Sequence, residues 1–308
     1  MLISQAEWEK TCKGYYQGEA LFNASMKEHT NLAIGGPADV VVSPDDPVSL
    51  KNIVTLLNRL KVPFLSLGGG TNVLVRDAGI DGVVIKFKAF NRIEIIDETD
   101  DHAELFVEAG VFLQKLVNFC REKGYAGMEG LVGIPGMVGG AICGNAGSYG
   151  CEIGDLLSSV VILRAEGSLE RFRPEDLGLG YRRSNISSGD MVLSANLRLR
   201  KDDAAAVAAR TEGFFMQKKT AQPIGERSAG CVFRNPEGMS AGRMIDEAGC
   251  KGLRIGDIEV STLHANFFVN RGEGRASDYL LLMDNVSAKV NERFHIVLEP
   301  EIRVMGRG

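Results

Sequence analysis

The sequence predicts an α+β protein with more than one domain. A chain of 308 residues is longer than one hydrophobic core usually holds. Segments with helical spacing alternate irregularly with short runs that are typical of strands. Glycine is the third signal: the chain has 37 glycines, roughly 12% against an average near 7%, concentrated in a few loops. Such glycines indicate backbone in conformations that other residues cannot reach, or backbone pressed against a ligand.

Residues 1–88 read as a first βαβ-like part. We predict strands at 39–42, 62–67 and 82–87. A helix between the first two follows from residues that recur at helical spacing, namely Leu50, Ile53, Val54, Leu57 and Leu60. The strand at 62–67 runs directly into three glycines. We expect the C-terminal strand, within 296–308, to return to this part.

Two further parts follow, at 89–201 and 202–295. The predicted elements of the second part are strands at 92–96, 104–109, 159–164, 169–172 and 191–199 and a helix at 111–123 ended by Gly124. Those of the third are helices at 202–219, 241–248 and 275–294. The terminal segment IVLEPEIRV alternates like a strand, which would place Glu299, Glu301 and Arg303 on one face.

Composition excludes several classes of function. The net charge is −5 and the basic residues are scattered, which argues against nucleic acid or a membrane surface as partner. No apolar run approaches the roughly 18 residues that span a bilayer. The start MLISQAEWEK lacks the pattern of a signal peptide, so we expect a cytoplasmic protein.

The six cysteines lie far apart without a CxxC pair, and the four histidines have no metal-ligand spacing. We therefore expect neither a disulfide framework nor a metal site.

The first glycine segment is LGGGTNVLV, Leu67 to Val75. Successive glycines after a strand let several backbone N–H groups point into one concavity, which suits an anion. Thr71 and Asn72 add side-chain donors. The alternative is a tight connection without a ligand. The pattern is not GxxxxGK[ST], which excludes a Walker-type loop.

The second glycine segment is GIPGMVGGAICGNAGSYG, Gly133 to Gly150, with seven glycines. It lacks the spacing of a Rossmann fingerprint. We expect extended backbone with little side-chain cover, along which a flat or phosphorylated ligand lies. Core packing explains one or two of these glycines but not all seven. Two such segments in one chain favour a dinucleotide.

Three other motifs carry reactive groups. YRRSN holds Arg182 and Arg183, and SAGCVFRNP holds Cys231 with Arg234 and Asn235 close behind. LEPEIRV holds the two glutamates already named. Each motif also has an ordinary interpretation: a surface arginine pair, a small buried thiol and a solvated strand. Spacing alone does not link the three.

The motifs, taken in order, resemble one family. HTNLAIGGPADVVVSP, both glycine segments, YRRSN, SAGCVFRNP, GLRIGDIEVSTLHANFFVN and LEPEIRV are similar to the UDP-N-acetylenolpyruvoylglucosamine reductases of bacterial peptidoglycan synthesis. The match covers roughly residues 25–306. It implies an FAD-binding fold of the vanillyl-alcohol-oxidase type, with two FAD-binding subdomains and an α+β substrate-binding domain. The short span between YRRSN and SAGCVFRNP resembles the family's second type, which lacks a capping-loop insertion.

The resemblance implies FAD and NADPH as cofactors and UDP-N-acetylglucosamine enolpyruvate as substrate. NADPH reduces the flavin, which then passes hydride to the enolpyruvyl group, giving UDP-N-acetylmuramate. We expect a monomer. The FAD-binding positions that the motifs imply are Leu67, Gly68, Gly69, Gly70, Thr71, Asn72, Gly133, Ile134, Pro135, Gly139, Gly140, Asn145 and Gly147.

The implied catalytic residues are Arg182, Cys231 and Glu301. Arg182 fits the charge that develops on the substrate carboxylate. Glu301 matches the family's catalytic carboxylate. Cys231 stands where the family usually has a serine proton donor, and a thiol with pKa near 8.5 is the better acid. Ser228 is a competing donor.

Tyr149, Asn235 and Lys218 are the implied substrate contacts, with Lys219 a weaker candidate for the diphosphate. Two other functions stay open at this point. One is a flavin oxidase of the same fold, and the other is a non-catalytic module that binds flavin or UDP-sugar.

Overall fold

The computed structural model describes residues 5–308. The chain divides into two units. The first comprises residues up to 22, 39–69 and 82–217, and the second comprises 23–38, 70–81 and 218–308. The predicted division into three parts, at residues 88, 201 and 295, stays a prediction.

The α-helices of the described chain are α1 (Gln5–Thr11), α2 (Pro47–Leu60), α3 (Leu113–Lys123), α4 (Val138–Cys143), α5 (Ala204–Ala221), α6 (Ala241–Glu247) and α7 (Ala276–Phe294). The strands are β1 (Gly18–Ser25), β2 (Pro37–Pro44), β3 (Phe64–Leu67), β4 (Val73–Val75), β5 (Ile80–Lys86), β6 (Ile93–Glu98), β7 (His102–Glu108), β8 (Tyr125–Ala126), β9 (Gly147–Ser148), β10 (Cys151–Glu152), β11 (Leu157–Leu163), β12 (Leu169–Phe172), β13 (Met191–Lys201), β14 (Ser228–Cys231), β15 (Arg254–Ile255), β16 (Ile258–Val260), β17 (Phe267–Asn270) and β18 (Arg303–Met305).

Helix α2 shows why the predicted pattern folds as it does. Its N-cap is Asp46, whose carboxylate accepts the N–H groups of Val48 and Ser49 at 2.8 and 2.9 Å. Pro47 suits the first turn because its missing N–H would have no helical partner there. Of the five predicted apolar positions, Leu50, Ile53, Val54 and Leu57 are fully buried, whereas Leu60 in the last turn is 38% exposed.

The first sheet has the strand order β1-β2-β5-β3. Strands β3 and β5 run parallel, with Leu67 opposite Lys86 at the ends of the two strands. One face of this sheet packs with α2 in a core that also contains Trp8 and Phe87. The chain leaves β3 directly into the first glycine segment.

The second sheet has the order β12-β11-β13-β7-β6, with β8 added beside β13. It has a separate core, to which α3 contributes Leu113 and Leu116 and α4 contributes Val138 and Ile142. The strands predicted at 159–164 and 169–172 pair as a hairpin, with Leu163 opposite Leu169. These two sheets and their cores belong to the first unit.

The second unit contains a sheet of order β14-β17-β16-β15 and helices α6 and α7. Its core includes Phe233, Ile245, Phe268 and Tyr279. The C-terminal strand returns to pair with β4 in parallel, Arg303 opposite Val73. That return was predicted.

The extent of the predicted terminal strand was wrong. Only Arg303–Met305 is a strand, and Pro300 forms a single isolated bridge with Phe233. Proline has no N–H for a ladder, so regular pairing does not extend through this segment. The inference that Glu299, Glu301 and Arg303 share one face of a strand fails with it.

Within residues 5–308, no helix is long and apolar enough to cross a membrane. The same part of the chain holds no group of three or more histidine, cysteine or acidic side chains placed to bind a metal ion.

Candidate functional site

The first glycine segment contains glycines of two kinds. Gly70 has φ of 65°, and a Cβ there would lie 2.1 Å from the carbonyl oxygen of His29, so the fold itself requires glycine. A Cβ at Gly68 would make only ordinary contact with Met137, at 3.6 Å. The fold therefore does not require glycine at position 68. The space beside its backbone is free for a ligand.

A buried lysine stands beside this loop. Lys86 is 6% exposed, and its Nζ donates to the carbonyl oxygen of Gly68 at 2.6 Å. Burial, with a smaller contribution from the nearby charge of Lys88, lowers the pKa of Lys86 to about 8. Lys86 was not among the predicted site residues. The sequence feature that could have identified it is a lysine inside the otherwise apolar strand predicted at 82–87.

A cavity of about 270 Å³ adjoins the second glycine segment at Met137. Two lysines, Lys88 and Lys115, line it together with Asn91 and the exposed ring of Phe112. The surroundings of both glycine segments therefore carry positive charge in the first unit, which suits an anionic ligand.

The prediction that the second glycine segment is extended was wrong, because the segment contains helix α4. Most of its glycines have a reason in the fold. A Cβ at Gly139 would lie 2.9 Å from Cβ of Ala109, and one at Gly147 would lie 2.8 Å from Cγ of Glu152. Those with left-handed or otherwise positive φ are Gly133, Gly136 and Gly150.

Gly140 and Gly144 remain without such a reason. A Cβ at Gly140 would meet nothing within 4 Å, and one at Gly144 only the Gly140 oxygen at 3.6 Å. Gly140 lies inside α4, where glycine costs about 0.5–1 kcal/mol relative to alanine. The fold does not explain that cost, whereas a cofactor lying against the exposed helix backbone does. These residues therefore fit a flavin dinucleotide.

Asn145 is nearly fully buried and adopts a positive φ of 42°. Its Nδ2 donates to Oε2 of Glu152 at 2.6 Å and to the Gly180 carbonyl at 3.2 Å, and its Oδ1 accepts the Gly154 N–H at 3.0 Å. The side chain is thus committed to joining the second glycine segment to the loop that carries Arg182. Direct binding of a cofactor by Asn145 stays a prediction.

Arg182 lies at the tip of a tight turn closed by hydrogen bonds between Gly180 and Arg183, at 3.1 and 3.2 Å. It also has a positive φ, 55°, which costs free energy for a residue other than glycine. One guanidinium nitrogen donates to the Gly147 carbonyl at 2.8 Å, and the guanidinium lies 5.2 Å from the Tyr181 ring centre. The fold thus holds Arg182 in a fixed, strained position beside the second glycine segment.

Tyr149, like Arg182, has a positive φ, 52°, and 40% of its surface is exposed. Its ring stacks on Phe214 of α5, with centres 4.8 Å apart and planes at 21°. Lys218, near the end of α5, is 2% exposed, whereas Lys219 is exposed. Only a ligand that enters the protein interior can therefore reach Lys218, and its substrate contact stays a prediction.

Cys231 is the last residue of β14 and is partly exposed. It pairs with Phe267 of β17, while Ser228 pairs with Val269, so the two residues between them on β14 stand opposite the single residue Phe268 on β17. Gly230, with φ of 74°, supplies this bulge. Because cross-strand partners face the same side, the bulge puts Ser228 and Cys231 on one face. Ser228 is the more buried of the two, at 6% exposure.

Glu301 lies beside this strand end within the second unit. Its N–H donates to the Val232 carbonyl at 2.8 Å, and its own carbonyl accepts Nδ2 of Asn72 at 3.3 Å. The backbone of Val232 thus links Glu301 to the residue next to Cys231, and Asn72 is linked to the same place through the Glu301 carbonyl. Asn235 is exposed, and its Oδ1 accepts the N–H of Ala241 at 2.9 Å.

Comparison with known proteins agrees with this geometry. The profile of the C-terminal domain of UDP-N-acetylenolpyruvoylglucosamine reductase matches residues 222–305, and that of an FAD binding domain matches 38–173. The chain is 42% identical to a UDP-N-acetylenolpyruvoylglucosamine reductase of Geotalea uraniireducens, over 94% of this chain and 95% of that protein. It is 44% identical to the reductase of Rubrobacter xylanophilus, over 93% and 95%.

A solved structure is also similar. The UDP-N-acetylenolpyruvylglucosamine reductase of Thermus caldophilus superimposes with a TM-score of 0.80 at 36% identity, covering 94% of this chain and 99% of that one. The predicted fold class, α+β with a flavin-binding fold of the vanillyl-alcohol-oxidase type, is confirmed.

Proposed function

The chain belongs to the UDP-N-acetylenolpyruvoylglucosamine reductase family, and we propose that Arg182, Cys231 and Glu301 are its catalytic residues. The protein is an FAD-dependent oxidoreductase of peptidoglycan synthesis. It reduces UDP-N-acetylglucosamine enolpyruvate to UDP-N-acetylmuramate at the expense of NADPH. The observation that supports the assignment of residues is the backbone hydrogen bond from Glu301 to Val232, the residue that follows Cys231 at the end of β14.

The two glycine segments hold the FAD in this proposal. The room at Gly68, Gly140 and Gly144 suits close approach of a ligand to the backbone, and Lys86 offers positive charge beside the first loop. Bound FAD supplies the hydride, which NADPH has delivered to it. The protein's own side chains then deal with the charge and the proton that remain.

Arg182 stabilises the charge. Hydride addition to the terminal carbon of the enol ether leaves an electron pair that spreads from the neighbouring carbon into its carboxylate. A planar guanidinium in a fixed position offers two donors to that carboxylate, and one good donor of this kind contributes about 2.7–4 kcal/mol. The positive φ of Arg182 and its bond to the Gly147 carbonyl support a fixed position.

Cys231 supplies the proton. The thiol hydrogen passes to the carbon that bears the carboxylate, the C–H bond forms with the electron pair left there, and the thiolate recovers its proton from solvent. The bulge at Gly230 aims Cys231 from the end of β14, and its partial exposure supports access to substrate and water.

Glu301 shares the strand end with Cys231. A carboxylate beside a developing dianion helps only if it is protonated or held by a cation. We therefore assign Glu301 to the side of the substrate where the proton arrives. Tyr149 and Asn235, both exposed, are the proposed substrate contacts, and Lys218 is a third.

We also propose a cytoplasmic location and a monomeric state. All six cysteines lie within the described residues, and none forms a disulfide, which agrees with a reducing compartment. Light scattering of the purified protein tests the oligomeric state.

The test of the function is anaerobic and uses the purified, flavin-loaded protein. NADPH is expected to bleach the flavin absorbance, and UDP-N-acetylglucosamine enolpyruvate to restore it in one equivalent. A flavin oxidase of the same fold would instead be reduced by its alcohol substrate and reoxidised by oxygen. If NADPH leaves the flavin oxidised, the proposed function is wrong.

A further inference from the structure

The segment that follows Cys231 is held by one buried side chain. Strand pairing between β14 and β17 ends at Cys231 and Phe267. The residues beyond them on the two strands are no longer partners in the ladder. Asn266, just before β17, takes over. Its Oδ1 accepts the N–H of Phe233 at 3.0 Å, and its Nδ2 donates to the carbonyl of the same residue at 2.7 Å.

The main chain of Asn266 adds a third bond, because its carbonyl accepts the Val232 N–H at 2.8 Å. Asn266 and Phe233 are each 2% exposed, so water cannot replace these bonds. Leaving the Phe233 donor and acceptor unsatisfied would be unfavourable, because a buried polar group that loses its partner is not compensated by water. The segment is therefore strongly tied to this amide.

The opposite side of the same segment carries Glu301. The Val232 carbonyl accepts the Glu301 N–H at 2.8 Å, and the Arg234 N–H donates to the Glu299 carbonyl at 2.9 Å. Residues 232–234 thus lie between Asn266 on one side and residues 299–301 on the other. A displacement of Phe233 would move Cys231 through the chain and Glu301 through the Val232 carbonyl.

We infer that Asn266 is a positioning residue that fixes Cys231 and Glu301 relative to each other for the protonation step. The inference rests on the roles proposed above for those two residues. Asn266 does not touch substrate in this account. It acts by holding the backbone between the thiol and the carboxylate, and a displacement of about 1 Å at a reacting group can cost 100-fold in rate.

The chain offers a matched control in Asn270, four residues further along at the end of β17. It is 4% exposed, its Nδ2 donates to the Leu32 carbonyl at 2.9 Å, and its Oδ1 accepts the N–H groups of Gly272 and Gly274 at 3.1 and 3.0 Å. Asn270 has the same residue type and similar burial, but its bonds go to other loops. Asn270→Ala therefore measures the loss of stability without the loss of positioning.

The experiment separates the two half-reactions in flavin-loaded Asn266→Ala, Asn270→Ala and Cys231→Ala. Reduction of FAD by NADPH needs no proton on a substrate carbon, whereas reoxidation by UDP-N-acetylglucosamine enolpyruvate does. Asn266→Ala is expected to slow reoxidation about 10- to 100-fold and to leave reduction by NADPH within about twofold. Asn270→Ala is expected to leave the ratio of the two rates as in the parent.

A second variant covers the case in which Asn266→Ala does not fold. Asn266→Asp keeps the size and the acceptor for the Phe233 N–H but removes the donor to the Phe233 carbonyl. It is expected to show a smaller loss confined to the same half-reaction.

Equal loss in both half-reactions, or the same ratio in Asn270→Ala, would make Asn266 merely structural and overturn the inference. So would unchanged reoxidation in both Asn266 variants. If Cys231→Ala itself reoxidises like the parent, the proposed proton donor is wrong instead, which keeps the two failures distinct.

Discussion

The second glycine segment and the strand end at Cys231 present functional groups in opposite ways. Around Gly140 the protein omits side chains, so that a cofactor can lie against bare backbone. Around Cys231 it does the reverse and surrounds a short stretch of backbone with hydrogen bonds from Asn266 and Glu301. A bound cofactor brings its own rigidity, whereas a proton donor must be held by the protein. The difference teaches that the two kinds of site need opposite tests: adding a side chain to one and removing side chains from the other.

The largest effect is expected at Cys231. Cys231→Ala should retain reduction by NADPH and lose about 10²–10⁴-fold in reoxidation by substrate, because the proton donor is gone. Cys231→Ser should retain substantial activity, since a hydroxyl in the same place can still donate. Stopped-flow absorbance of the flavin measures both steps.

Ser228→Ala is the control for Cys231, because the bulge places both residues on the same face of the sheet. It is expected to reoxidise like the parent. If Ser228→Ala is slow and Cys231→Ala is normal, the donor is Ser228, and the bulge serves to aim the serine.

Arg182 tests whether the first unit contributes charge as well as bare backbone. Arg182→Met is expected to lower kcat for the full reaction about 10²–10³-fold, because one preorganised donor to the developing anion is lost. The control is Arg183→Met, at the exposed neighbouring position of the same turn. A similar kcat in both variants would mean that Arg182 only holds the Gly147 carbonyl.

Substitution of Gly140 tests directly whether the missing side chain serves cofactor binding. Gly213 provides the matched control. Both glycines are exposed within helices, and a Cβ on either would meet nothing within 4 Å in the protein. Alanine should therefore stabilise both helices by about 0.5–1 kcal/mol. Only Gly140→Ala is expected to weaken FAD binding, about tenfold, as measured by flavin fluorescence during titration. Equal FAD affinity in the two variants would remove Gly140 from the flavin site.

The contrast also explains how much the sequence could predict. The glycine segments were visible in composition, because glycine leaves a signal wherever the backbone is strained or exposed. Helix α2 was visible in its spacing, and the return of the C-terminal strand to the first part of the chain was expected, although its parallel partner β4 was not. Local rules were sufficient for these features.

Three features at the site were beyond local rules. The sequence could not show that α4 forms inside the second glycine segment, since two adjacent glycines lower helix propensity and packing of Val138 and Ile142 overrides it. The bulge at Gly230 depends on the partner strand. Asn266 lies in an ordinary-looking motif, and its role depends on a partner 33 residues earlier. Long-range backbone pairing leaves no periodic trace.

Lys86 is the exception to the contrast, because the first unit keeps one buried charge beside its bare glycine loop. Its pKa of about 8 lies below the ordinary value of 10.5, chiefly through burial. Between these two pH values the unfolded chain binds more protons at this residue than the folded one. The contribution of Lys86 to the stability of the flavin-free protein is therefore unfavourable below pH 8, and this penalty disappears as the pH rises toward 10.5.

The smallest predicted effect follows from that sign. Relative to Lys86→Met, the flavin-free parent should gain unfolding free energy between pH 7.5 and 10, by roughly 1–3 kcal/mol from the size of the pKa shift. Urea unfolding at the two pH values measures it, and Lys51→Met, at an exposed position, is the control. An anionic ligand held at the first glycine segment would reduce the pH dependence, because its negative charge would favour the charged lysine. If the difference in unfolding free energy between the parent and Lys86→Met were constant with pH, burial would not lower the pKa of Lys86. The first unit would then offer the ligand bare glycine backbone without a buried charge beside it.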